Sequence, residues 1–306
     1  MATMLPSLRQ VPAVRGVFAA KHLAELARQA LVAEAELTPK PGLVDRRGAG
    51  AHADLSLDLM RRSASAIAPF FADMGSAAQS MPFDQGLRSE VAAIGRAAES
   101  AMLHVTNGSN AHKGAIWILG LLVTSAGQGI DSKPEAIAKD AGLLACVPDR
   151  ARPQMVSHGD VVRTRYGTTG ARGEACSGFP HVVRVGLPAL REARRNGCTE
   201  TNSRLSALLH VMVRLEDTCV LYRGGAEGLA AVQAGASDVL LAGGPGSLAG
   251  DQALLQLDQD LLIKNVSPGG SADLLSATLF LDALERGQYA LEEDNSLWEE
   301  DTYGKN

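Results

Sequence analysis

The run Ala115-Ile116-Trp117-Ile118-Leu119-Gly120-Leu121-Leu122-Val123-Thr124-Ser125-Ala126 contains no charged side chain. It reads as a central helix buried on every side, because an all-round apolar helix has no solvent face. It falls short of the ~20 apolar residues that a membrane span requires, and no other stretch reaches that length. The rest of the chain is arranged outward from it.

Upstream, Leu87, Val91, Ile94, Ala98 and Met102 recur at helical spacing behind Asp84, an expected N-cap. Before that, Leu55, Leu59, Ser63, Ile67 and Phe70 share one helix face, with Asp54 as the expected cap. Leu23, Leu26, Ala30 and Leu37 mark a first helix over 18–37. Downstream, Ser132-x-x-Glu135 has the form of a capping box with Pro134 in the first turn. A helix from about Pro180 stops at Gly197, and a long one is expected from Asn202 to about Tyr222. A short helix follows near Gly228–Ala234. Another leads from Gly243-Gly244-Pro245-Gly246 to Lys264, and an apolar one runs from Ser267 through Leu284. Only Asp238-Val239-Leu240-Leu241 is short enough to be helix or strand. No run of alternating strands and no fixed-period repeat occurs. The expected fold is all-α, a single globular multi-helix domain over 18–288. A loose arm (1–17) precedes it and an acidic tail, expected to be disordered, follows (289–306).

Composition narrows the function. The 306 residues are 46% hydrophobic and 21% charged, as in a globular domain. A net charge of −5 and 4% aromatics give no support to a nucleic-acid binder. The four cysteines, Cys146, Cys176, Cys198 and Cys219, form no C-x-x-C pair. That spacing fits buried or incidental thiols in a reducing cytoplasm better than zinc or a disulfide framework. No apolar signal-peptide core is visible near the N-terminus.

The first helix runs into Glu36-Leu37-Thr38-Pro39-Lys40-Pro41-Gly42-Leu43-Val44-Asp45-Arg46-Arg47. Two prolines around Lys40 exclude helix, and Gly42 permits a turn. The result is a stiff loop holding a cation between two carboxylates. It suits polyphosphate or metal chemistry, or an ordinary interhelix connection. Four more segments set glycine beside a carboxylate or amide at a helix boundary: 108–114, 166–174, 217–225 and 267–273. The first three of these contain a cation, and Lys264 lies just before the last. A helix N-terminus presents free N–H groups and partial positive charge, a seat for phosphate. Each segment alone could be a simple cap, but five in one chain favour a shared anion site. Asp217, placed near a helix C-terminus, would face an unfavourable dipole and need Arg223 or a metal beside it. Gly244-x-Gly246-x-x-x-Gly250 is neither a dinucleotide fingerprint nor a Walker loop. The histidines His52, His112, His158 and His181 are too scattered to form a zinc set.

The motifs Pro-Lys-Pro-Gly-Leu-Val-Asp (39–45), Asn-Ala-His-Lys-Gly (110–114), Gly-Ala-Arg-Gly-Glu (170–174), Asp-Thr-Cys…Arg-Gly-Gly (217–225) and Ser-Pro-Gly-Gly-Ser-Ala-Asp-Leu-Leu (267–275) resemble the triphosphoribosyl-dephospho-CoA synthase family. The resemblance covers about residues 20 to 285. Asp217-Thr218-Cys219 departs from the Asp-Thr-Asn of the branch serving citrate lyase. With Asp45-Arg46-Arg47-Gly48 and Gln256-Leu257-Asp258, it resembles the branch serving malonate decarboxylase.

The resemblance implies that ATP and 3′-dephospho-CoA give 2′-(5″-triphosphoribosyl)-3′-dephospho-CoA and adenine. A separate transferase would then load the product onto the decarboxylase's acyl carrier protein. Such a reaction passes through an oxocarbenium-like carbon, which nearby carboxylates stabilise. On this reading Lys40, Asn110, Lys113, Arg172, Arg223, Gly269, Gly270 and Ser271 hold the nucleotide. Glu36, Asp45 and Asp217 are expected ligands of Mg²⁺, and Glu174 or Asp273 is the expected base. The rival readings are a helical metal-dependent phosphohydrolase, which would release phosphate rather than adenine, and a non-catalytic factor that binds a CoA-like arm.

Overall fold

The structure, a computed structural model, describes residues 18–129, 132–151 and 157–300, with side chains described as far as 287. Among these residues every regular element is a helix. The expected arm over 1–17 lies outside them, as do the side chains of the acidic tail, although helical backbone runs to Glu300.

The helices are α1 (Ala20–Glu36), α2 (Leu57–Ser80), α3 (Gln85–Val105), α4 (Lys113–Gln128), α5 (Pro134–Cys146), α6 (His158–Tyr166) and α7 (Gly170–Cys176). A π turn, Val182–Gly186, leads into α8 (Leu187–Arg195). Then come α9 (Glu200–Arg214), α10 (Thr218–Leu241), α11 (Leu248–Ile263) and α12 (Gly269–Glu300).

The apolar run becomes α4, whose residues from Ala115 to Gly127 are buried except Trp117. Close approach of neighbours needs small residues here. A Cβ on Gly120 would stand 2.8 Å from Met74 Sδ on α2, inside contact distance. Around α4 pack α1, α2, α3, α5 and α12, and one continuous apolar core runs through Phe71, Met102, Leu119, Leu208 and Phe280.

Three expected boundaries shift. Ser56, not Asp54, caps α2, its Oγ accepting from the Leu59 N–H at 3.3 Å, while Asp54 faces His52. The Ser132–Glu135 capping box does not form. Pro134 at the first helical position requires an extended residue before it, so Lys133 takes the N-cap position. The single helix expected over 202–222 is two helices, broken at Leu215-Glu216-Asp217. Asp217 caps α10, its Oδ1 accepting from Cys219 N–H at 2.9 Å and Val220 N–H at 3.4 Å. The apolar periodicity carries on across this break, which is why the sequence conceals it. The ambiguous 238–241 is the end of α10. Asp84 caps α3 as expected, and Gly197 ends α8 with Cys198 N–H on the Ala193 carbonyl.

Candidate active site

The N-termini of α4, α10 and α12 and the loop after α1 converge, and most of the motif residues meet there. Asp217 is central. It is 2% exposed, and its Oδ2 accepts from Ser271 N–H at 2.8 Å and Ser271 Oγ–H at 3.0 Å. Its Oδ1 accepts from Gly270 N–H at 3.2 Å as well as from the first turn of α10. One carboxylate thus caps two helices. The sequence reading put Asp217 at a helix C-terminus facing a hostile dipole. The structure reverses this, since both dipoles present their positive ends to it. Burial still drives its pKa upward, against the lowering effect of the Ser271, Cys219 and Val220 bonds.

This arrangement changes the role open to Gly269-Gly270-Ser271. The Gly270 and Ser271 N–H groups already hold Asp217, and Gly269 N–H bonds the Ser267 carbonyl at 2.9 Å. Glycine is needed at 270 because a Cβ would lie 2.9 Å from Asp217 Oδ1.

Arg223 ties three motifs together. It donates to the Ala51 carbonyl at 2.8 Å and to His52 Nδ1 at 3.1 Å, and His52 Nε2 meets Ser267 Oγ at 2.9 Å. Burial, then the Arg223 charge, pull the His52 pKa down to about 4, so the ring is neutral and can accept from Arg223. The Pro-rich loop and Gly224 both press on Val266, which explains why neither Gly42 nor Gly224 has room for a side chain.

Below Asp217 lies a second group. Lys40, 1% exposed, forms a buried ion pair with Glu34 of α1, a partner that the sequence reading missed. Asp273 sits on the N-terminus of α4. Its Oδ2 would stand 2.0 Å from a Cβ on Gly114, close to the first N–H groups of the helix. Asp273 is half-buried. Desolvation, then the Glu34 and Asp217 charges, hold its pKa well above the usual carboxylate range. His112, the N-cap residue of α4, is 2% exposed and also passed unnoticed as a site residue. Its Nδ1 meets Ser63 Oγ at 2.7 Å, whereas Nε2 is buried with no partner. Burial and the nearby Lys40 charge lower its pKa to about 3. A buried orphan nitrogen marks a place where a water or ligand belongs. A lone histidine between two helices gives no periodic signal, so only the Asn-Ala-His-Lys-Gly motif that contains it could have pointed to it.

Other expected residues stand apart. Glu36 binds Arg46 and, at 2.6 Å, Arg61 on the surface. Asp45 braces its own loop, accepting from Lys40 N–H at 2.9 Å, Arg47 N–H at 2.7 Å and Arg47 Nε at 2.9 Å. Glu174 is buried with both oxygens on His181, at 2.8 Å from its N–H and 2.7 Å from Nδ1. That contact raises the His181 pKa. Asn110 Oδ1 accepts from the Lys113 N–H at 3.1 Å, and the exposed Lys113 ammonium pairs with Glu99. Arg172 is exposed, within electrostatic reach of Arg88.

The three carboxylates expected to bind Mg²⁺ do not share a site. Among the described residues no three His, Cys, Asp or Glu side chains are grouped to hold an ion. Asp217 and Asp45 already spend their oxygens on N–H donors. The donor set does not fit a resident ion. Among the described residues no helix is long and apolar enough to cross a membrane.

No solved structure matches the chain. Curated relatives are called probable 2-(5″-triphosphoribosyl)-3′-dephosphocoenzyme-A synthases. One from Azotobacter vinelandii is 54% identical over 269 residues, covering 87% of this chain and 92% of the relative. One from Pseudomonas syringae pv. syringae is 53% identical, covering 87% and 92%. One from Stutzerimonas stutzeri is 52% identical, covering 90% and 94%. The profile of the family described as CitG, ATP:dephospho-CoA triphosphoribosyl transferase, matches residues 20–291. The chain therefore belongs to the ATP:dephospho-CoA triphosphoribosyl transferase family.

Proposed function

We propose that the protein moves the triphosphoribosyl group of ATP to a ribose hydroxyl of 3′-dephospho-CoA at the junction of α4, α10 and α12, releasing adenine. The observation that carries this reading is half-buried Asp273 on the N-terminus of α4, beside buried Asp217 and Glu34. The Asp217 carboxylate beside Asp273 favours a carbon that becomes cationic as its bond to adenine breaks. Desolvation and the neighbouring carboxylates raise the Asp273 pKa, which favours its acid form, and its proton goes to a ring nitrogen of the departing base. The proton of the entering hydroxyl then restores it. Glu174, engaged by His181, keeps α7 in place. The exposed cations Lys113, Arg172 and Arg223 turn to the phosphates, while Lys40 stays buried against Glu34. Magnesium enters as the counter-ion of ATP, whose phosphate oxygens supply its ligands.

The product serves the malonate decarboxylase acyl carrier protein, through a separate transferase in the cytoplasm. Support comes from Cys219 in the Asp-Thr-Cys motif: its Sγ stands 3.2 Å from where a Gly269 Cβ would be, so this position shapes the junction. Incubation with Mg-ATP and dephospho-CoA tests the reaction. Adenine and conjugate in equal amounts are expected, and inorganic phosphate without adenine overturns it. For the branch, disruption of the gene should abolish growth on malonate and spare growth on citrate. The opposite pattern reassigns the product to citrate lyase.

A further inference from the structure

Away from the junction, α5 and α7 end side by side. Gly142 lets them meet, since a Cβ there would stand 2.7 Å from the Ala175 carbonyl. The last residue of each helix is a cysteine, Cys146 and Cys176. The Cys146 thiol donates to the Cys176 carbonyl oxygen at 3.8 Å and lies within electrostatic reach of the Cys176 thiol. Cys146 is exposed and Cys176 half-buried, so a small oxidant can reach the pair. Arg88 and Arg172 bring positive charge to the two sulfurs. Cationic surroundings favour the thiolate that reacts with oxidants.

We infer that Cys146 and Cys176 are a covalent modification site, a dithiol that a hydroperoxide converts to a disulfide joining α5 to α7. One thiolate attacks a peroxide oxygen, giving a sulfenic acid and water. The second thiol displaces the sulfenic oxygen as a second water and closes the S–S bond, so two thiols and one hydrogen peroxide give one disulfide and two waters. Burial and the Cys176 sulfur push the Cys146 thiol up to about 11, against the lowering effect of the Arg172 charge. The new bond fixes the far end of the short helix that carries Arg172 and Glu174.

The test treats the full-length protein with hydrogen peroxide, then alkylates, digests and maps it without reductant. A cross-linked Cys146–Cys176 peptide is expected, lost on dithiothreitol treatment, together with a rise in Tm of about 5 °C. Cys146→Ser should yield no cross-link and no rise in Tm. Exposed Cys198 serves as the internal control. If Cys198 is oxidised while Cys146 and Cys176 both stay alkylatable, or are oxidised separately in the wild-type protein, the inference fails.

Discussion

Asp217 gathers donors from two helices, and its removal should be felt first in stability. Asp217→Asn keeps the shape but turns an N–H donor toward the α12 or α10 N–H groups. A loss of about 2–4 kcal/mol is expected in urea denaturation of the ligand-free protein. An unchanged midpoint would mean that the carboxylate is held for a ligand instead. Lys40 and Glu34 make a companion case. Lys40→Met leaves Glu34 buried and unpaired, and about 3–5 kcal/mol should be lost. Adding Glu34→Leu should recover most of it, because a buried pair is often replaceable by apolar groups. If the double variant is no more stable than the single one, the ion pair is not what keeps that corner together.

His112 supplies a pH signature. Its folded pKa of about 3 lies below the unfolded 6.5, so the unfolded chain binds more protons in between. This contribution to stability is therefore complete above 6.5 and declines as pH falls toward 3. Relative to His112→Asn, the wild type should lose about 2 kcal/mol between about pH 7 and pH 5. Parallel pH curves for the two proteins would show that the ring is not buried neutral.

At the scale of elements, α10 holds the least ordinary backbone. Gly225 has φ 63° and ψ −161°, a region open essentially to glycine alone, and the helix kinks there with Tyr166 alongside. Gly225→Ala should cost about 1–3 kcal/mol and impair turnover, both measurable on purified protein. A neutral substitution would show that the kink is not required. Helix existence was readable from apolar spacing, as in α3 and α4, because burial of one face imposes the period. Helix ends were less so. Leu209, Met212, Leu215 and Cys219 kept the period through a real break, since two packed helices can share one apolar register. Only Asp217 itself signals that break, and the unbroken periodicity around it suggests the wrong end of a helix. Gly197 and Asp84 were legible because their side chains, or the lack of one, act locally.

For the whole molecule, motif order located the junction but not its wiring. The segments 36–52, 110–114, 217–225 and 267–273 do meet around Val266 and Asp217. What the sequence could not give is which charges neutralise one another across the fold. Lys40 looked like a phosphate grip and is buried on Glu34. Gly270 and Ser271 looked like an empty anion seat and already hold Asp217. Partner choice depends on tertiary distances between residues far apart in the chain, and no local pattern records it.

The account turns on Asp273 and the carboxylates beside it driving departure of adenine. Single-turnover release of adenine from ATP in the presence of dephospho-CoA, compared for wild type and Asp273→Asn, tests this most directly. The account predicts a fall of at least about 100-fold in the variant, with conjugate formation falling in step and Tm nearly unchanged. Adenine release by Asp273→Asn at the wild-type rate would contradict it.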